Sequence, residues 1–101
     1  MSEVAGAHII PSRAVRSLCL YGLVRAIANV TKRGRPFTAA DVWEHLAAHG
    51  WDRGVRATAA VYMSRAFEIS KQRRLCRPTC RTQAVRDPVC NRRPQRVWRP
   101  A

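Results

Sequence analysis

Arginine is the residue type in this sequence whose chemistry stands out most. The chain has 19 basic residues, 17 of them arginines, against 6 acidic ones, so its formal net charge is +13. The planar guanidinium fork suits bidentate contact with phosphates or guanine edges, and such an excess of cations favours a polyanionic partner. Codon bias in a GC-rich genome is an alternative explanation for arginine in place of lysine. Because that bias leaves the net charge unexplained, the composition favours nucleic acid as the partner.

The cysteines form a second group with a chemistry of their own. Cys76, Cys80 and Cys90 are spaced Cys-x3-Cys-x9-Cys, and they could give three thiolates to a tetrahedral zinc ion, with Cys19 or a histidine as the fourth ligand. The sequence lacks paired Cys-x2-Cys repeats, and no histidine follows His49. The pattern therefore favours free thiols and no cofactor, with structural zinc as the alternative and Cys19 as a small core residue.

Nothing in the sequence indicates catalysis. It has 6 carboxylates, with no paired acids in one loop, no phosphate-cradling glycine loop and no recognisable nucleophile motif. No stretch approaches the roughly 20 apolar residues of a membrane span, and the first ten residues lack the basic start and apolar run of a signal peptide. We therefore expect a non-enzymatic protein of the cytoplasm without a membrane partner, nucleoid-associated when bound to DNA.

Two helices are predicted before the middle of the chain. The second has the stronger start signal, with Thr38 as N-cap, Asp41 at the third helical position and Phe37 and Val42 as a hydrophobic staple, and Gly50 ends it. Its expected core residues are Ala39, Val42, Trp43, Leu46 and Ala47. The first helix is capped by Ser12, and its apolar stripe comprises Val15, Leu18, Cys19, Gly22, Leu23, Ala26, Ile27 and Val30.

His45 and His49 lie four residues apart on the second predicted helix, which is the spacing of two metal ligands. The glutamate that zinc peptidases need after the first histidine is missing. Exposed or helix-capping histidines are therefore the favoured interpretation.

A turn over residues 51–55 leads to a third predicted helix, which begins at Ala57 or Thr58 and reaches Ser70 or slightly further. Gly54 is expected to adopt an unusual backbone angle and Val55 to pack between the helices. The predicted core side of the third helix carries Ala59, Tyr62, Met63, Ala66 and Ile69, with Phe67 at its margin. The predicted outer side carries Thr58, Val61, Arg65, Glu68 and Gln72, with Arg53 and Arg56 near the N-terminal end.

This order of segments, Thr38-Ala-Ala-Asp-Val-Trp-Glu-His-Leu and then Ala60-Val-Tyr-Met-Ser-Arg-Ala-Phe, resembles the winged-helix branch of helix-turn-helix DNA-binding proteins over residues 12–77. The resemblance implies a three-helix core, a third helix in the DNA major groove and a two-stranded wing on the backbone or minor groove. It also implies that Leu75 points inward, with Arg73, Arg74 and Arg77 outward. The chain has no glycine within residues 71–74 and no alternating strand pattern after Pro78, so the sequence leaves a small β wing open.

The composition changes near the end of the chain. The last 31 residues, from Lys71 onward, hold 10 of the 19 basic residues and four of the six prolines. Such a segment cannot build a core alone and is typically disordered or ordered on a polyanion. We expect a flexible segment at residues 1–11, a helix-turn-helix domain at 12–77 and a basic, partly disordered tail at 78–101, with an arm at 91–101 and Trp98 as a stacking or docking residue. Deleting residues 78–101 should lower affinity but spare specificity.

The predicted function is sequence-specific binding of double-stranded DNA by a small transcriptional regulator, such as one of a phage or mobile element. A homodimer is compatible with this function. The alternatives are a small phage or mobile-element protein that binds and inhibits a host protein, and an RNA-binding accessory protein. The predicted nucleic-acid contacts, which include a basic loop after the first helix, are Lys32, Arg33, Arg35, Arg53, Arg56, Thr58, Arg65, Lys71, Arg73, Arg74 and Arg77.

Overall fold

The computed structural model describes residues 13–84 and 94–101 of the protein, with the backbone alone for residues 13–16. The predicted flexible segment 1–11, the Ser12 cap and Cys90 lie outside the described residues. The described part is mainly helical with a two-stranded antiparallel sheet, which confirms the predicted fold class at this level. Its elements are α1 (Arg13–Thr31), α2 (Ala39–Ala48), α3 (Arg53–Ala59), a 3-10 turn (Ala60–Tyr62), α4 (Met63–Gln72), β1 (Cys76–Gln83) and β2 (Gln95–Pro100).

The core lies where α1 packs against α2 and α4. Leu23, Ile27 and Val30 of α1 have almost no exposed surface, as the apolar stripe predicts, and Cys19 is buried beside them. Leu18 was predicted to belong to this face, but 68% of its surface is exposed. It lies at the edge of the stripe in the N-terminal part of α1, where no described element covers it.

Hydrogen bonds to Asp41 of the helix and to Gln95 of β2 stabilise the start of α2. The backbone N–H of Thr38 donates to Asp41 Oδ2 at 2.8 Å, and Phe37 and Val42 are both buried, which confirms the predicted capping interaction. Gln95 of β2 also accepts a hydrogen bond from the Ala40 N–H through its Oε1, at 2.9 Å. The first turn of a helix has orphan N–H groups, so the strand supplies a cap that local sequence cannot reveal.

The third predicted helix starts earlier than expected. Asp52 caps α3 by accepting a hydrogen bond from the Val55 N–H at 2.9 Å, which places the first helical residue at Arg53. Gly54 therefore has an ordinary helical backbone, and Val55, predicted as a plug between helices, is 40% exposed. The α3 helix, the 3-10 turn and α4 follow one another without a gap; we call residues 53–72 the third helical run.

The predicted faces of the third helical run are largely correct. Ala59, Met63, Ala66 and Phe67 are buried, whereas the outer residues Thr58, Val61, Arg65, Glu68 and Gln72 are exposed. In α2, Val42, Trp43 and Leu46 are buried as predicted, but Ala47 is exposed.

Residues 95–100 form a strand, which corrects the prediction of a basic arm without regular structure at residues 91–101 for the part that the structure describes. β2 pairs with β1, with Cys76 opposite Pro100 and Gln83 opposite Gln95, and the register shifts between Pro78 and Thr82. Val97 is buried, and the Trp98 ring stacks on Phe67 with centroids 4.4 Å apart. The predicted boundary after residue 77 falls inside β1. The strand folds because Trp98 packs against Phe67 of α4. The composition of the segment alone does not include this contact.

A single antiparallel bridge joins this strand to the segment before α2. The Phe37 N–H donates to the Trp98 carbonyl oxygen at 2.9 Å, and the Trp98 N–H donates to the Phe37 carbonyl oxygen at 2.7 Å. The bridge fixes β2 against the start of α2, while the stacked Trp98 and Phe67 rings hold β2 against α4.

The helices α2 and α4 end in the same way. In each, a residue with positive φ follows the C-cap, Gly50 at 96° and Arg74 at 59°. In α4 the N–H groups of Arg74 and Leu75 donate to the carbonyl oxygens of Lys71 and Ser70, which is the Schellman pattern. The glycine that the sequence lacks in this turn is thus replaced by an arginine in the left-handed region, and Leu75 packs inward as predicted.

Across the described residues, no helix has both the length and the apolar character that crossing a bilayer requires.

Candidate nucleic-acid interface

The predicted contact residues are almost all accessible. Arg56 is half-buried, because its guanidinium carbon lies 4.9 Å from the centroid of the Trp43 ring. This cation–π contact anchors the side chain at the N-terminal half of the third helical run. The exposed members of the predicted set are Lys32, Arg33, Arg35, Arg53, Thr58, Arg65, Lys71, Arg73, Arg74 and Arg77.

The basic loop after α1 lies at the junction of α1 and α2. Gly34 has a φ of 77°, which allows the chain to reverse within residues 32–36. Arg33 and Arg35 line a small cavity of about 90 Å³ together with Asp41. Lys32, Arg33 and Arg35 are all exposed to solvent. The cavity lies at the α1–α2 junction, and no residue of the third helical run lines it.

His45 and His49 on α2 lie close together, with ring centroids 4.3 Å apart, and His49 Nδ1 is 2.8 Å from the His45 carbonyl oxygen. Burial, the neighbouring His49 and the charge of Arg33 together lower the pKa of His45. His45 is therefore neutral at neutral pH, so it adds no cation to this side of the molecule.

The sheet carries four exposed arginines, of which the predicted set included Arg77 and omitted Arg81, Arg96 and Arg99. Arg77 of β1 and Arg99 of β2 stand directly opposite each other, and Arg81 and Arg96 are also exposed. Like charges in directly opposed positions destabilise a sheet, so this arrangement favours an anion that neutralises them. The only sequence signal for Arg96 and Arg99 was their place in a basic segment, because the strand that presents them depends on tertiary contacts.

The Arg74 backbone lies in the left-handed region, with a φ of 59°. A non-glycine residue in the left-handed region costs about 1–2 kcal/mol, and such strain concentrates at functional positions. The Arg74 side chain is exposed, so no buried contact made by this side chain compensates for the cost.

The cysteines that were candidates for zinc occupy different environments. Cys76 is buried in the core, and burial raises the pKa of its thiol to about 11, so it remains a neutral thiol. Cys80 is exposed. Within the two described stretches, no group of three or more histidine, cysteine, aspartate or glutamate residues could hold a metal ion; Cys90 lies outside them.

Comparison with protein families, with characterised proteins and with solved structures finds no match to this chain.

Proposed function

We propose that this protein is a small DNA-binding regulator of winged-helix type. In this proposal the third helical run enters the major groove of double-stranded DNA, the β1–β2 sheet acts as the wing on the backbone, and the loop at residues 32–35 contacts a further phosphate. The protein acts in the cytoplasm, associated with DNA, without catalysis.

The main support for this proposal is the charge of the described residues from Lys71 onward. The described residues from Lys71 onward contain seven cations and no acidic residue, and all seven are exposed on the last turn of α4, the turn after it and the sheet. Gathering like charges on one folded unit costs free energy unless a polyanion neutralises them. The seven cations are Lys71, Arg73, Arg74, Arg77, Arg81, Arg96 and Arg99.

The order of the elements supports the winged-helix type. Two helices and the third helical run precede a two-stranded antiparallel sheet, and the Phe37–Trp98 bridge adds the segment before α2 to the edge of that sheet. This order agrees with the core and wing that the sequence resemblance implies. The cavity between α4 and β2 is lined by both Lys71 and Arg96, so the cations of the helical run and of the sheet border the same space.

The exposed face of the third helical run suits base contacts. Arg65 can donate two hydrogen bonds to a guanine edge, and Val61, 76% exposed, can contact a thymine methyl group. Glu68 follows on the same exposed face, and its charge disfavours phosphates at that level. The N-terminal two-thirds of the run, up to Arg65, is therefore the part proposed to contact base edges.

The experiment is selection of binding sites from random duplex DNA, followed by comparison of the selected site with a scrambled one. Arg65→Ala should reduce the preference for the selected site by about tenfold, since a bidentate base contact contributes roughly 1–3 kcal/mol of discrimination. Arg77→Ala should weaken binding to both duplexes equally and reduce the slope of log K against log salt by about 1.

Arg25→Ala is the matched control, because Arg25 is an exposed arginine on α1, outside the proposed interface. It should leave discrimination unchanged. Arg56→Ala is a less clean variant, since it also removes the contact with Trp43. If Arg65→Ala and Arg25→Ala have the same effect on both duplexes, the third helical run does not recognise bases. If the protein shifts no duplex at physiological salt but co-purifies with one host protein in equal amounts, the competing function of an inhibitor is supported instead.

A further inference from the structure

A cavity of about 450 Å³ lies between α4 and the sheet. This size is in the range of small-molecule sites, which combine apolar walls with a few polar groups. Its apolar lining includes Met63, Phe67 and Trp98, and its polar lining includes Lys71, Arg96 and Glu68. The outer face of the third helical run is the part proposed to contact duplex DNA, so this apolar lining has no role in that contact.

The aromatic residues of this region form a nearly parallel series. The Phe37 and Phe67 rings are 6.2 Å apart with an interplanar angle of 21°, and the Phe67 and Trp98 rings are 4.4 Å apart with an angle of 18°. Trp98 is only half-buried and contributes to the cavity wall. Planar aromatic ligands stack on such rings, and stacking of a nucleobase contributes substantially to binding for any of the bases.

The charges at the cavity complement a phosphate. Lys71 and Arg96 come from opposite sides, α4 and β2, and both are exposed. Two cations and the single carboxylate of Glu68 leave the lining with a net positive charge. Glu68 can accept a hydrogen bond from an exocyclic amino group, which adenine, cytosine and guanine carry.

We propose that this cavity binds one unpaired nucleotide, with its base against Trp98 and Met63 and its phosphate between Lys71 and Arg96. The nucleotide is either a free nucleoside monophosphate or an unstacked nucleotide within a nucleic-acid strand, because the two offer the same base and phosphate. This site is separate from the base contacts of Arg65, so it does not depend on the proposed function of the third helical run.

The test is calorimetric titration of the full-length protein with deoxynucleoside monophosphates and, separately, with inorganic phosphate. A second arm compares a matched duplex with the same duplex carrying one bulged nucleotide. The proposal expects saturable 1:1 binding of at least one monophosphate, or at least about fivefold tighter binding of the bulged duplex. The first result identifies the free nucleotide as the source, and the second identifies the strand.

Two single variants, Lys71→Ala and Arg96→Ala, should each weaken that binding by about tenfold. The matched control is Arg25→Ala, which removes an exposed arginine of α1 that lies outside both the cavity and the proposed duplex interface. Ser64→Tyr changes an exposed residue of the lining and should block the cavity without disturbing the core. A thermal unfolding measurement checks that this variant is folded. Inorganic phosphate that competes as well as the monophosphate would overturn the proposal, as would equal losses in Arg96→Ala and Arg25→Ala, or no binding in either arm.

If no nucleotide binds in the cavity while Arg65→Ala still reduces discrimination between duplexes, only the cavity proposal is wrong. If Arg65→Ala has no effect but monophosphates bind, only the proposed role of the third helical run is wrong.

Discussion

At the scale of single residues, the arginines of this protein differ in what holds them. Arg56 is positioned by the Trp43 ring, Arg74 by the Schellman turn and Arg77 by the register of the sheet. Each backbone is fixed, so less conformational entropy is lost when a phosphate or base binds than would be lost by a flexible arm. The sequence showed that the cations exist, but the structure assigns to each the element that orients it.

His45 gives a residue-scale prediction about pH. Its lowered pKa means that the unfolded chain takes up a proton near pH 6.5 while the folded protein still resists it. Stability should therefore be fully present above about pH 6.5 and should decrease as the pH falls below that value. Urea unfolding at pH 7.5 and pH 5.5 measures this loss.

The variant His45→Gln should reduce the difference in unfolding free energy between these two pH values. His49→Gln is the control: because burial is the larger cause of the shift and His49 a smaller one, this variant should retain most of the pH dependence. An unchanged pH dependence in His45→Gln would show that other groups cause it.

At the scale of elements, the two equivalent helix ends use different residues for the same turn. Gly50 adopts positive φ after α2 without a side-chain penalty, whereas Arg74 does so after α4. Evolution of a helix end for stability alone favours glycine at this position. An exposed arginine there fits a function at the start of the proposed wing.

The Arg74→Gly variant tests this trade between stability and binding. It should raise the free energy of unfolding by about 1 kcal/mol, since the left-handed backbone is no longer strained, and it should weaken duplex binding severalfold because a cation is lost. Thermal unfolding and a duplex titration measure the two effects. Gly50→Ala, at the equivalent position of α2, should destabilise the protein by a similar amount. If Arg74→Gly leaves duplex binding unchanged, Arg74 makes no contact with DNA.

At the scale of the whole molecule, the sheet belongs to the core and is not an appendage. β2 contributes buried Val97 and the Trp98 ring that covers Phe67, and its Gln95 caps α2. Removing such a strand exposes several core side chains, each worth about 2–5 kcal/mol when truncated. That total approaches the 5–15 kcal/mol of a whole small domain.

Deletion of residues 95–101 should therefore abolish cooperative unfolding and all specific DNA binding. This outcome replaces the sequence-based expectation that specificity would survive loss of residues 78–101. Circular dichroism during heating measures the folding. The control is the double variant Arg96→Ala and Arg99→Ala, which keeps the strand and removes its charge; it should unfold cooperatively and lose affinity. A truncated protein that still unfolds at the same temperature would contradict the role given to β2.

Local sequence was sufficient for most of the helical part of this fold. The cap at Thr38 and Asp41, the glycine after α2 and the three-to-four-residue spacing of apolar side chains are interactions between near neighbours, so the pattern reveals them directly. The observed start of α3 lies about one turn before the predicted start at Ala57 or Thr58, because Asp52 acts as its N-cap.

The sheet and both proposed sites were decided by tertiary structure. Residues 95–100 end in Pro100, follow Pro94 and contain few apolar side chains. Their strand forms because Phe37, Phe67 and β1 lie beside them. The sequence by itself determined a helical core, a charge of +13 and an arginine-rich outer face. Only the fold brought Lys71 and Arg96 to the lining of one cavity and Arg77 opposite Arg99, because these pairs join residues that are more than 20 positions apart along the chain.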